Sequence, residues 1–199
     1  MADKFAPTDI HIHPLIAGRW SPRAYADRPV SPDDVRALVQ AARWAPSAFN
    51  GQPWRFLILE KGTNAVAFDR GFRTLVPFNQ SWNKNAQVLI VVLADTLNFK
   101  GDVNRTAHYD AGASALALLL EAHARGLAAH SMSGFDAPAL LAGFGIDKRY
   151  VPLAMISVAH HGDPGDLPVD LGERERAPRQ RRPLGEIAHF GKWTNEGEI

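Results

Sequence analysis

Apolar residues fall at helical spacing in one stretch of the chain and in unbroken runs in others. Val35, Leu38, Val39 and Ala42 fall at i, i+3, i+4 and i+7, the period of one helix face. Ser31 is a capping residue, Pro32 suits the first helical position, and Asp33 and Asp34 favour the positive end of the helix dipole. Pro46 should end this helix. The stretch from Pro46 to Pro53, rich in Ser, Asn and Gly, is expected as an ordered loop. Phe56 to Glu60 is expected as a strand. Val88 to Ala94 is apolar without a break, as in a strand covered on both faces. Tyr109 to Arg125 is rich in Ala and Leu, with Gly126 placed to stop it, and predicts a long helix. Leu127 to Met132 and Leu153 to Ala159 are further strands. Asp136 caps a short helix between them that ends near Gly143 or Gly145.

From Gly162 to Pro183 the pattern changes to Gly, Pro, Asp and Arg, followed by a short apolar end, Ile187, Phe190 and Trp193. Such a tail cannot build its own core and must lie on another surface, of this chain or of a partner. There is no internal repeat, so residues 1–199 are expected as one domain, with about 163–199 an extended tail. A hydrophobic share of 46% allows a core, and 22 basic against 21 acidic residues give +1. That balance offers no global field for nucleic acid or an anionic membrane. The absence of cysteine removes disulfides, thiolate nucleophiles and thiolate metal sites. It fits a reducing compartment. The N-terminus lacks the apolar run of a signal peptide, and the longest apolar run is too short to span a bilayer. A soluble cytoplasmic protein is expected.

The chain has no Walker loop, no GxGxxG after a strand, no GxSxG and no HExxH. His11/His13 and His160/His161 read more readily as surface histidines than as metal ligands. Four segments carry polar chemistry. Arg19-Trp20-Ser21-Pro22-Arg23 puts two guanidinium forks around a hydroxyl, a set that can hold a phosphate or simply be a solvated basic loop. Pro46-Ser47-Ala48-Phe49-Asn50-Gly51-Gln52-Pro53-Trp54 is a stiffened loop of amides and hydroxyls suited to a heteroaromatic ring. It equally suits a helix-to-strand connection, with Trp54 in the core. Ser131-Met132-Ser133-Gly134-Phe135-Asp136 ends a strand, and Gly134 permits close approach of a ligand to the backbone. An ordinary turn would look the same. Arg174, Arg176, Arg179, Arg181 and Arg182 suggest an anion site, a solvated tail or a nucleic-acid patch, the last weakened by the interspersed Glu173, Glu175 and Glu186.

In this order and at these distances, the four segments resemble the FMN-dependent nitroreductase family from Arg19 to Trp193. ARWAPSAFNGQPWRFLIL is the most specific piece. The resemblance implies an α+β, three-layer α-β-α sandwich with a mixed, mostly antiparallel sheet. It also implies an interlocked homodimer, with two FMN sites at the interface and the tail packed on the partner. Arg19 and Ser21 would lie at the FMN phosphate, with Trp20 in the same segment and Arg23 nearer the pyrimidine side of the ring. Pro46, Ser47, Ala48 and Asn50 would come from the other subunit. Asn79 would contact the flavin's polar edge. Met132, Ser133 and Gly134 match the strand end whose amides face N5 and O4, and Arg179 and Arg181 the pair that closes over the phosphate. No catalytic group beyond the flavin and no metal is implied. The activity implied is ping-pong hydride transfer from NAD(P)H through flavin N5 to an electron-poor acceptor such as a nitroaromatic or quinone. Dehydrogenation, dehalogenation and non-catalytic flavin binding are the alternatives. The chain departs from the pattern in four places. Ala48 replaces a second serine, and Ser133 stands where an acid is common. Trp82 stands near a lysine position, with Lys84 close by. The connection between Ala94 and Tyr109 leaves room for only a small lid.

Overall fold

The computed structural model describes residues 4–193. Its helices are α1 (Pro14–Gly18), α2 (Pro32–Arg43), α3 (Ala65–Phe72), α4 (Pro77–Trp82), α5 (Ala107–Ala124), α6 (Ala137–Phe144) and α7 (Val169–Arg176). Its strands are β1 (Tyr25–Ala26), β2 (Trp54–Glu60), β3 (Val88–Asp95), β4 (Leu127–Met132) and β5 (Tyr150–His161).

The strands make one sheet in the order β1-β5-β3-β2, with β4 also on β5. Met155 to Val158 of β5 pair with both β3 and β4, so these two flank it on opposite edges. Each pairing is antiparallel. The sheet expected to be mixed therefore has no parallel pair among the described residues. Strand β5 is longer than the apolar run Leu153–Ala159, because it continues across Pro152 and out to His161. The register slips between Val92 and Leu93, opposite Pro152. The residue skipped there is Leu153, next to Pro152, which stays opposite Leu93 but has no N–H to give the ladder.

Every residue of β3 is buried, as its unbroken apolar run requires. Leu89, Val91 and Leu93 face one core with Leu59, Phe68, Leu140, Met155 and Trp82. Val88, Ile90 and Val92 face the other, with Leu38 and Ala42 of α2 and Leu118 and Ala122 of α5. Helices thus cover both faces, which makes three layers. Ser114 Oγ donates to the Ala42 carbonyl (2.8 Å) and pins α5 to α2.

The start and stop signals act as expected. Ser31 Oγ accepts from Asp34 N–H (3.0 Å) at the start of α2. Asp136 accepts from Ala139 N–H (2.9 Å) at the start of α6. Gly126 and Gly145 take φ of 69° and 62° after α5 and α6, a left-handed geometry that glycine adopts without penalty. Trp54 is buried. Helix α5 begins at Ala107, two residues before the expected Tyr109.

The tail departs from expectation in its first part. Val169–Arg176, within the stretch expected to be extended, is helical, and Leu171 joins the protomer's own core. Alternating Glu and Arg hide this helix from a hydrophobicity scan, since only Leu171, Gly172 and Glu175 are buried. Residues 194–199 of the expected tail lie outside the described residues.

Candidate functional site

The segment Arg19–Arg23 runs from the end of α1 into β1. Three arginines gather there. Arg19 is half-buried, and its pKa is lowered by burial first and then by the charges of Arg179 and Arg181. Arg179 is lowered in the same way, by burial and by Arg181. Arg179 donates to the carbonyls of Lys4 (2.7 Å) and Ala17, and Arg19 Nη1 lies 3.5 Å from Ser21 Oγ. His123, at the C-terminal end of α5, is shifted down by burial, Arg19 and Arg179, which favours the neutral ring. Among the described residues no carboxylate lies within ion-pair distance of Arg19, Arg179 or Arg181. Packing like charges together without an acid costs free energy that an anion would return as charge-assisted hydrogen bonds.

Arg23 is held by its backbone. Glu175 of α7 is 2% exposed, and its Oε1 accepts from the N–H groups of Arg23 (2.8 Å) and Ala24 (3.0 Å). The Arg23 guanidinium lies 5.7 Å from the Trp82 ring centre, and its Nε is buried with no partner. Trp82 packs between Tyr25 (5.8 Å) and His130 (4.7 Å). His130 Nδ1 donates to the Pro22 carbonyl (3.1 Å). Burial, with the nearby Arg23 charge, pushes its pKa down to about 4, so the ring is neutral at pH 7. Trp20 turns the other way. Its ring stacks on His161 at 6.3 Å, in a cleft of about 500 Å³ that Gly18, Ala24 and His123 also line. His161 and His160 are both engaged rather than free on the surface, His160 with Pro29 and Arg28.

Asn79, on α4, is buried, and its Nδ2 donates to the Gly134 carbonyl (3.0 Å), which also accepts from Val76 N–H (3.0 Å). Met132 is buried at the end of β4, its Sδ 3.1 Å from Asn83 Nδ2. A Cβ on Gly134 would come within 2.8 Å of Asn79 Nδ2 and 2.9 Å of Val76 Cγ2, so the site requires glycine. Ser133 is exposed. Among the described residues the N–H groups of Ser133 and Gly134 donate to no protein acceptor.

The loop from Pro46 to Pro53 lies elsewhere. Ser47 Oγ accepts from Gln52 N–H (3.1 Å), and Ala48 N–H bonds Asp110 Oδ2 (3.2 Å) at the start of α5. Phe49, Asn50 and Gln52 all have positive φ. The register shows the separation. Trp54, just after the loop, pairs with Ala94, which pairs with Val151 near the start of β5, whereas Tyr25 pairs with His161 at its end. Ten residues of strand span roughly 33 Å. One protomer therefore brings together Arg19, Ser21, Arg23, Arg179 and Arg181. It sets Asn79, Met132, Ser133 and Gly134 beside them through Trp82 and Asn83. It leaves Pro46, Ser47, Ala48 and Asn50 at the far end of the sheet.

Three buried or half-buried groups at this site carry no sequence signal of their own: His123, His130 and Glu175. Each meets the arginine segment across more than 100 residues of chain.

The model of the nitroreductase family matches residues 16–160. An uncharacterised 15.4 kDa protein of Mycolicibacterium smegmatis is 38% identical over 149 residues, 71% of this chain and 98% of that one. A Bacillus subtilis protein named as a candidate NAD(P)H nitroreductase is 28% identical, over 78% of this chain and 93% of its own. A solved structure described as an oxidoreductase containing FMN superposes with a TM-score of 0.90 at 33% identity, covering 96% of this chain and 97% of that one.

Proposed function

Since the chain belongs to the nitroreductase family, we propose that it is an FMN-dependent oxidoreductase that uses NAD(P)H to reduce an electron-poor acceptor such as a nitroaromatic or a quinone. The observation that carries this reading is the convergence of Arg19, Arg179 and Arg181 with no carboxylate among the described residues to neutralise them. Beside them stand donors without protein acceptors among the described residues, the buried Arg23 Nε and the N–H groups of Ser133 and Gly134. That donor set fits a dianionic phosphate at one end and a ring edged with acceptors at the other.

Arg19 and Ser21 would hold the phosphate, and Arg179 and Arg181 would close it from the tail. Arg23 would put positive charge at the pyrimidine edge, where it favours a ring that has gained negative charge. The backbone of Ser133–Gly134, fixed by Asn79, would orient the ring. Bound there, FMN supplies reversible two-electron chemistry that no side chain of this protein provides. Donor and acceptor would use the same face in turn, in ping-pong order.

The loop Pro46, Ser47, Ala48 and Asn50 reaches such a site only from a second copy, given its place at the far end of the sheet. Helix α5 supports a homodimer. Tyr109 (82% exposed), Gly112 and Leu116 (50% exposed) lie on its outward face, and its other side is core. A helix apolar all round is one that becomes buried. The remainder of the tail would pack on that partner. Among the described residues no helix is long and apolar enough to cross a membrane. A cytoplasmic setting suits a reduced nicotinamide donor.

Reconstitution with FMN should give a yellow protein that NADH or NADPH bleaches under anaerobic conditions, and that a nitroaromatic or quinone recolours. Protein that binds FMN but is reduced by neither nicotinamide would overturn the reductase reading.

A further inference from the structure

A second cleft, of about 610 Å³, lies between the Pro46–Pro53 loop and the segment joining β3 to α5. Two aromatic rings stand open on its walls, Phe49 at 95% and Phe99 at 81% exposure. Phe49 holds its position with φ of 53°, a conformation that costs a residue with a Cβ about 1 kcal/mol or more. The strain maintains a ring that the single chain leaves bare and from which its local folding gains nothing.

The cleft is also cationic. Arg55, Lys100, Arg105 and Arg149 line it against Asp95 and Asp102. Asp95 is already satisfied, because Arg149 Nε and Nη2 each lie 2.6 Å from one of its oxygens. Arg55 Nη1 donates to the Gln52 (3.0 Å) and Trp54 (2.7 Å) carbonyls, but its Nη2 stays 3.8 Å from Asp95 with the side chain 53% exposed, so Nη2 keeps donors to spare. Lys100 and Arg105 are exposed near the mouth.

We propose that this cleft selects planar aromatic compounds that carry an anionic group, the ring between Phe49 and Phe99 and the anion towards Arg55, Lys100 and Arg105. The inference rests on the functional reading above, in which Ala48 and Asn50 reach the flavin of a second copy. In that reading the cleft would adjoin the flavin, since Ala48 and Phe49 also line it. The same chemistry could be presented by an anionic acceptor or by the extra phosphate of NADPH.

The test uses FMN-loaded protein and the double variant Lys100→Glu/Arg105→Glu, whose exposed positions spare the core. The values of kcat/KM are compared for 4-nitrobenzoate against nitrobenzene, and for NADPH against NADH. Equilibrium dialysis measures 4-nitrobenzoate binding directly. The expected result is a fall of about tenfold in one of the two ratios, shrinking in about 0.5 M salt. The ratio that falls names the source of the anion. Ratios that stay within twofold, or four substrates that weaken together, would overturn the proposal. If the parent enzyme turns over none of them, the functional reading fails instead. Dialysis then decides the cleft alone, with unchanged 4-nitrobenzoate binding in the variant counting against it.

Discussion

His130 offers the sharpest quantitative test of the site's electrostatics. Its ring lies between Trp82 and the carbonyl of Pro22, with Arg23 nearby, and its folded-state pKa is pushed down to about 4 by burial first and Arg23 second. An unfolded histidine titrates near 6.5, about 2.5 units higher. Between these values the unfolded chain binds a proton that the folded chain refuses, so stability rises with pH. The contribution is complete above about pH 6.5 and is lost as the pH falls towards 4. At pH 5 the loss is about 2 kcal/mol, and below pH 4 it approaches about 3 kcal/mol. Urea unfolding of the parent and of His130→Gln, at pH 7.5 and pH 5, measures it. Glutamine keeps a donor for Pro22 but does not titrate. His123 and His161, also shifted down by burial, act in the same direction in both proteins and cancel in the comparison. The variant should lose about 2 kcal/mol less than the parent on going to pH 5. Equal losses would refute the claim that His130 is buried neutral.

Arg179→Met should weaken FMN binding by about 10- to 100-fold, read by quenching of flavin fluorescence, because it would remove the proposed charge-assisted bonds to the phosphate. Unchanged affinity would remove the tail from the site. Gly134→Ala drives a methyl into Asn79 and Val76 and should cost about 1–3 kcal/mol in thermal or urea unfolding, with reduced flavin occupancy. Leu118→Ala, in the core between α5 and α2, should cost about 2–5 kcal/mol while leaving the flavin spectrum of the folded fraction unaltered.

The elements legible in the sequence are those whose signals are local. Ser31-Pro32 announces α2, the run Val88–Ala94 announces β3, and Gly126 and Gly145 mark the ends of α5 and α6. Helices α1 and α4 have five and six residues, too short to show a period. Helix α7 buries a glutamate among exposed charges, so polarity misreports its role. Strand β5 runs through Pro152 and two histidines because its neighbours complete the ladder, a tertiary cause invisible along the chain. The arginine segment, the Pro46 loop and Gly134 stood out because of their residue types and order. What joined Arg19 to Arg179 was the tail's hydrogen bonding to the Lys4 and Ala17 carbonyls, and what separated both from Ala48 was strand register. Glu175 and His130 enter only through contacts spanning 152 and 108 residues.

The two-faced apolar character of α5 has a thermodynamic consequence. In the proposed homodimer, a helix that one chain covers on only one side ties folding to encounter with a second copy. The unfolding midpoint should then climb as protein is concentrated and sag on dilution. Calorimetry over a hundredfold range of concentration would register this directly, and dilute assays of this enzyme would be measuring assembly as well as catalysis.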